Sequence, residues 1–201
     1  MSDTQPGALR RLWNTLSRPS AKYSLLGLLV VGFVGGMVFW IGFNTAVAAT
    51  GTMEFCGSTC HTMSSISLKE YKETVHYSNR SGVQVGCSDC HIPKPFFHKM
   101  YVKTTEGASD IYHELMGTSN TPEKFEAQRM ELATNQWAIM TSTGSRECLG
   151  CHDFEAMSGD KQKASNYKRH MTAKEEGKTC IDCHKGIAHH LPKEYQDPDE
   201  E

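Results

Sequence analysis

Four short cysteine motifs constrain the fold of this 201-residue chain more than any other feature, because together they use all eight cysteines. Three read C-x-x-C-H, and the first, with one extra residue, reads C-x-x-x-C-H. C-x-x-C-H is the attachment signal for c-type haem, in which both thiols join the porphyrin and the histidine ligates the iron. Zinc sites and disulfides also use cysteine, but neither explains a histidine after every pair. We therefore expect four covalently bound haem c groups, held by Cys56, Cys60 and His61, by Cys87, Cys90 and His91, by Cys148, Cys151 and His152, and by Cys180, Cys183 and His184.

An apolar segment without charge, residues 24–43, follows an N-terminal stretch that carries Arg10, Arg11, Arg18 and Lys22. About 20 helical residues at 1.5 Å each cover ~30 Å, which is enough to cross the hydrocarbon layer of a bilayer. The segment is longer than the roughly 7–15 apolar residues of a signal peptide, so we expect a retained anchor. Basic residues before a span keep that end of the chain in the cytoplasm.

This topology predicts a single-pass protein of the bacterial inner membrane with its haem domain in the periplasm, where c-type haem is attached. A net charge of −2 gives no reason to expect nucleic acid as a partner. Gly32 and Gly36 form a G-x-x-x-G pattern, which would allow two membrane helices to pair in a homodimer. The predicted domains are a cytoplasmic N-terminus (1–23), a transmembrane anchor (24–43), a periplasmic tetrahaem domain (44–193) and an acidic tail (194–201).

The predicted fold is mainly α and rich in loops, as in multihaem c-type cytochromes. The motifs begin at residues 56, 87, 148 and 180, and this spacing suggests two duplicated dihaem units. We expect one helix from Phe96 to Met116, ending near Gly117, and another beginning at Thr121-Pro122, where Thr caps and Pro occupies the first turn. No segment predicts a strand, and the haems are expected to supply most of the apolar core.

Six of the ten histidines lie outside the motifs and are candidates for the second axial position of an iron. His76 and His170 have matched positions, each enclosed by one pair of motifs, and His189 follows His184 by five residues. Met63 is a further candidate ligand because it lies two residues after His61. Surface roles are expected for His98 and His113, and His190 is a neighbour of His189.

Five stretches carry a resemblance to a known family: residues 18–23 (RPSAKY), 54–56 (EFC), 60–63 (CHTM), 76–82 (HYSNRSG) and, most specifically, 176–189 (EGKTCIDCHKGIAH). Through them the chain resembles the NapC/NirT family of membrane-anchored tetrahaem cytochromes over nearly its whole length. The resemblance implies that His76, His170 and His189 are distal iron ligands. It also implies that electrons enter from membrane quinol at the first haem and leave to a periplasmic reductase, often nitrate reductase.

Two departures from the family leave alternatives open. The extra residue in the first motif affects the geometry of the first haem, and in relatives the position of Met63 can replace the motif histidine, here His61, as ligand. Where many members have a histidine three residues after that of the second motif, this chain has Lys94. Lys94 or His98 would fill that distal position, or no protein residue would.

Family members also carry a Lys and an acid seven residues apart after the second motif, matched here by Lys103 and Asp110. The resemblance implies that these two residues form the quinol site. A carboxylate can accept a proton that quinol releases, and a Lys can hydrogen-bond to the quinone oxygen. From the residues alone, two such side chains on a helix are ordinary solvated charges.

The sequence therefore predicts an electron conduit, a quinol dehydrogenase that passes electrons from ubiquinol or menaquinol to a periplasmic terminal reductase of nitrate respiration, denitrification or another anaerobic respiration. One alternative is a membrane-tethered shuttle between cytochromes, with a soluble cytochrome as acceptor and no quinol site. The other is a terminal multihaem oxyanion reductase, which would need an open haem iron and which the supply of distal ligands disfavours.

Overall fold

The computed structural model describes residues 7–16 and 22–196. Within these ranges the chain is helical and contains no strand, which confirms the mainly α prediction. Arg18 and the last five residues of the acidic tail lie outside the described residues. The chain divides into two compact units, Met1–Ala48 and Ala49–Glu201.

The first unit contains a short helix α1 (Ala8–Leu16) and most of the long helix α2 (Leu25–Ala49). Helix α2 is the one described helix that is long and apolar enough to cross a membrane, and none of its residues is buried, as a membrane anchor requires. It continues six residues beyond the predicted end of the span at Phe43. Residues 44–49 carry no charge and no helix breaker, and the Asn44 side chain donates to the carbonyl of Trp40 (2.8 Å) rather than interrupting the helix.

In the second unit, one helix matches the sequence expectation at both ends and another matches it at its start. Helix α6 (Phe96–Met116) ends where Gly117 adopts a left-handed conformation with φ 63°, which a glycine accepts without strain. Helix α7 (Pro122–Ser142) begins after Thr121, whose hydroxyl accepts the backbone N–H of Lys124 (3.4 Å). The remaining elements are short: α3 (Met53–Thr59), a π-helical turn (Met63–Ser67), α4 (Leu68–Lys72), α5 (Cys87–His91), α8 (Arg146–Leu149), a 3-10 turn (Phe154–Ala156), α9 (Ala164–Glu175) and α10 (Cys180–Cys183).

Side chains of the second unit bury little apolar surface among themselves. Only Ile66, Tyr71 and Ile181 are buried hydrophobic residues in the part of the chain the structure describes. Glu70 and Arg129 are also buried, and they form an ion pair. A domain of this length normally encloses a larger core, so the polypeptide is suited to packing its apolar side chains on large bound groups.

Candidate haem sites

The second and fourth motifs begin helices with the same local chemistry. The residue before the second cysteine is Asp89 in one motif and Asp182 in the other. The Asp89 carboxylate accepts the backbone N–H of Gly86 (2.8 Å), and that of Asp182 accepts the N–H of Thr179 (2.7 Å). These bonds satisfy N–H groups at each helix start and set the cysteines on one helical turn.

The first motif departs from this geometry, as its extra residue predicts. Helix α3 ends at Thr59, so Cys60 lies beyond the helix in an extended conformation. In the second motif, by contrast, α5 contains both cysteines and His91. After Cys60 the chain enters the π-helical turn that carries Met63.

The four motifs lie in a row that follows their order in the chain. Helix α3 packs on α5, which packs on α8. The row continues to α10, where the hydroxyl of the buried Ser145, which precedes α8, accepts the backbone N–H of Ile181 (3.2 Å). Thiols of successive motifs are near enough to raise one another's pKa, although burial is the larger cause: Cys56 acts on Cys87, Cys151 on Cys90, and Cys180 on Cys148.

Three motif histidines each face one histidine from elsewhere in the chain. The ring centres of His91 and His189 are 6.3 Å apart, those of His152 and His76 are 6.2 Å apart, and those of His184 and His170 are 5.9 Å apart. The structure thus brings all three predicted distal residues to motif histidines. The two matched histidines pair differently. His170 faces the histidine of the fourth motif, which is the next motif after it in the chain. His76 faces the histidine of the third motif, although the second motif is the next one after it.

These pairs have the spacing that an axially ligated iron requires. A metal–imidazole bond of about 2.0 Å on each side, with about 1 Å more from nitrogen to ring centre, separates two ring centres by about 6 Å. All eight cysteines are free of disulfide bonds, so both thiols of every motif are available for thioether bonds. The cysteines and histidines therefore fit covalently attached haem. Haem would also supply the apolar surface that the small protein core lacks.

Several of the paired imidazoles are held neutral. Burial lowers the pKa of His91 and of His184, and it lowers that of His189 to about 4. The partner ring adds to burial at two pairs, since His91 acts on His189 and His170 acts on His184. A neutral imidazole has the free lone pair that a metal ligand needs.

The surroundings of His91 bear on the alternatives left open at Lys94 and His98. His189 occupies the position opposite His91, and the ammonium of Lys94 lies instead against Gly150 of the third motif, 3.2 Å from where a Cβ would stand. His98 is exposed on α6. Neither Lys94 nor His98 is therefore opposite the second motif histidine.

A buried ion pair fixes the segment that carries His189. Arg129 donates to both carboxylate oxygens of Glu70, at 2.5 and 2.9 Å. The same carboxylate accepts the backbone N–H of His190 (3.0 Å), and Arg129 donates to the His190 carbonyl (3.2 Å). The peptide groups on both sides of His190, the residue after His189, are thereby held. We call Glu70 and Arg129 the buried clamp.

His61 has a different environment from the other motif histidines. Within the described residues no aromatic ring stacks near it. Its backbone N–H donates to Glu114 of α6 (2.7 Å), and the hydroxyl of Thr62 donates to the carbonyl of Ser119 (3.1 Å). Burial opposes ionisation of Glu114, but hydrogen bonds from Thr62 and His61 lower its pKa below the ordinary value.

Lys103 and Asp110 lie on α6 close to the first motif. The ammonium of Lys103 donates to the hydroxyl of Thr50 (2.9 Å). Burial raises the pKa of the Cys56 thiol. The charge of Lys103 lowers that pKa and the charge of Asp110 raises it, so both side chains lie close enough to act on the first cysteine. Burial, and then Glu106, raises the pKa of Asp110, while burial lowers the pKa of Lys103. The Asp110 side chain is still exposed to solvent. Nearby protein atoms therefore reduce its hydration without enclosing it.

Sequence reasoning missed Glu114 and the buried clamp. Each of these side chains lies on a helix among other charges, where it looks like a solvated residue. Its partner is more than 50 residues away in the chain. No local pattern could have identified them.

Comparison with known proteins gives a consistent result. The sequence profile of the NapC/NirT cytochrome c family, N-terminal region, matches residues 18–194. The chain is 52% identical to the denitrification system component NirT of Stutzerimonas stutzeri, over 92% of each chain. It is 47% identical to the cytochrome c-type protein NapC of Escherichia coli K12, over 95% of this chain and 94% of that one. It is 48% identical to a protein of Allochromatium vinosum whose name describes a tetraheme c-type cytochrome, over 88% of this chain and 94% of the other. No solved structure gave a significant match.

Proposed function

Because the chain belongs to the NapC/NirT cytochrome c family, we propose that it oxidises membrane quinol and passes the electrons through four covalently bound haem c groups to a periplasmic acceptor. The family establishes that this is an electron-transferring cytochrome with c-type haem. The observation that carries the proposal is the row of motifs in chain order, with ionisable residues of α6 at its first member and histidine pairs along the rest.

The proposed haem sites follow the thiols and the ring pairs. Each pair of cysteines holds one haem, which supplies a one-electron carrier when bound. His91 with His189, His152 with His76, and His184 with His170 would hold the haem irons at the second, third and fourth motifs. At the first motif His61 or Met63 would do so.

The proposed quinol site combines Lys103 and Asp110. Oxidation of a quinol to a quinone releases two protons and two electrons. The Asp110 carboxylate accepts one proton, and its raised pKa makes it a better acceptor than an ordinary aspartate. Lys103 donates a hydrogen bond to a quinol oxygen, and the second proton leaves to water. A haem held by Cys56 and Cys60 would supply the acceptor for the two electrons, taken one at a time.

Helix α2 serves as the proposed anchor, with the N-terminus in the cytoplasm and the four motifs in the periplasm. Quinol remains in the bilayer, so its oxidant must lie near the membrane. The first cysteine follows the last residue of α2 by only seven positions. For the acceptor, the name of the NirT relative supports a reductase of denitrification, including nitrate reductase.

A quinol oxidation assay on the intact protein in lipid nanodiscs tests the proposal. The purified protein should exceed its 22.4 kDa chain mass by four haem masses, and menaquinol or ubiquinol should reduce it. Failure of quinol to reduce a fully loaded protein that dithionite reduces would favour the tethered shuttle. Turnover of nitrite by the protein alone would favour the terminal reductase.

A further inference from the structure

Helix α6 has an exposed face made almost wholly of apolar and aromatic side chains. Five large residues on it have exposed fractions between 59% and 87%. At 3.6 residues per turn their positions fall on one side of the helix, within about a third of its circumference. The α6 apolar face consists of Phe97, Tyr101, Ile111, Tyr112 and Leu115, with Ala108 between them. Thr104 falls on the same side.

The charges of α6 lie on the other side, which reverses the usual arrangement of a surface helix. Lys103 is directed inward to Thr50, and Glu114 is directed inward to the backbone of His61. Lys99, Glu106 and Asp110 fall on the same side by helical position. A helix that faced water would present these charges outward and bury its apolar side chains.

The position of α6 in the chain identifies what covers this face. Thr50 is the first residue after the membrane helix α2, and Lys103 is bonded to it at 2.9 Å. Lys103 therefore lies at the end of α2 from which the chain continues out of the proposed anchor. Tyr101 and Tyr112 combine an apolar ring with a polar tip, which is the chemistry of side chains found at membrane–water interfaces.

We propose that the α6 apolar face inserts into the outer surface of the lipid bilayer and forms a second, interfacial membrane contact beside the anchor. A face of six residues is narrow compared with the roughly 20–30 residues that each partner contributes to a stable protein interface. Interfacial helices bind lipid surfaces through apolar faces of this kind, with a strength that grows with the apolar area buried. The inference rests on the proposed anchor and is independent of whether Lys103 and Asp110 act on quinol.

The contact would have a direct consequence for the other side of the helix. With the apolar face in the lipid, Lys103 and Asp110 lie one helix diameter or less from the lipid surface, about 10 Å. Quinol would then reach them around the edge of α6 without leaving the interfacial region.

Photocrosslinking in native inner membranes identifies the occupant. The full haem-loaded chain is prepared with p-benzoylphenylalanine in place of Leu115 or, separately, of Phe97 at the other end of the face. Two control positions receive the same group: Ile139 on α7, which is half exposed, and Val38 within α2. Haem content is checked by mass, and the adducts formed on irradiation are identified by mass spectrometry.

We expect phospholipid adducts at Leu115, Phe97 and Val38, and none at Ile139. Adducts of Leu115 and Phe97 with a second copy of the chain or with another protein would overturn the inference. So would the absence of lipid adducts at both positions while Val38 still forms them. If Val38 also fails to crosslink to lipid, the proposed anchor is wrong and the inference falls with it.

Discussion

At the second, third and fourth motifs the motif histidine faces another imidazole, with ring centres 5.9–6.3 Å apart. At the first motif no such ring is found among the described residues, and the neighbourhood instead contains Lys103, Asp110 and Glu114. The first kind of site would offer two strong ligands to a haem iron, as the proposed role in electron transfer requires. The second kind places proton-binding groups beside the attachment cysteines.

This difference is what the proposed division of function along the row of motifs requires. Moving an electron between carriers needs no acid or base, so paired histidines could exclude other ligands there. Oxidising a quinol requires proton acceptors at the reacting oxygen, and the first site has such a carboxylate, Asp110, near its first cysteine.

The largest expected effect is on the stability of the segment that carries His189, compared with the segment that carries His61. The substitution Arg129→Ala leaves the buried Glu70 carboxylate without its counter-ion beside His190. We expect this substitution to lower the free energy of unfolding by about 3–5 kcal/mol. Glu114→Ala removes hydrogen bonds at the more open first motif and should cost about 1 kcal/mol. Chemical unfolding of the haem-loaded variants measures both values. Equal losses would show that the two segments are held alike.

Quinol oxidation should distinguish Lys103 and Asp110 from their neighbours. Lys103→Ala and Asp110→Asn should each lower the rate about tenfold or more, because a hydrogen-bond donor or a proton acceptor is removed. Lys99→Ala and Glu106→Gln, one turn away on α6, are matched controls and should retain the parental rate at neutral pH. Every variant must first show four haems by mass and full reduction by dithionite. Parental rates in both test variants would place the quinol site elsewhere.

A change of spin state should follow the ring pairs. His76→Ala removes the imidazole opposite His152, so one haem of four, the one held by Cys148 and Cys151, should become high-spin in the EPR spectrum. Equivalent losses are expected from His170→Ala at the fourth motif and from His189→Ala at the second. His98→Ala is the control, since that exposed side chain faces no motif histidine. A low-spin spectrum unchanged by His76→Ala would remove this residue from the ligands.

The smallest expected effect is a shift in the pH profile of quinol oxidation. Asp110 accepts a proton only as a carboxylate, so the rate should fall as pH drops through its pKa, which lies above the ordinary 3.8. Glu106 contributes to that rise, and Glu106→Gln should move the acid limb of the profile to lower pH. A profile that Glu106→Gln leaves unmoved, or an acid limb that persists in Asp110→Asn, would assign the titration to another group.

Local chemistry determined which features the sequence could predict. Gly117 and the Thr121-Pro122 pair fixed the end of α6 and the start of α7, because each acts within one turn of its own position. The end of α2 could not be predicted in this way, since the neutral residues 44–49 neither require nor break a helix. The identity of the histidine partners, such as His76 with His152, depends on how distant segments pack, and no spacing in the chain encodes it. The same holds for Glu114 and the buried clamp.

Near-infrared magnetic circular dichroism of the fully oxidised protein tests the central contrast most directly, because its bands report the pair of axial ligands at each low-spin haem iron. We expect intensity for three haems with two imidazole ligands, and a fourth haem that lacks this signature. His189→Ala should reduce the bis-imidazole intensity by one third, whereas Asp110→Asn should leave it unchanged. Four equivalent bis-imidazole haems in the parental protein would show that the first site does not differ from the other three.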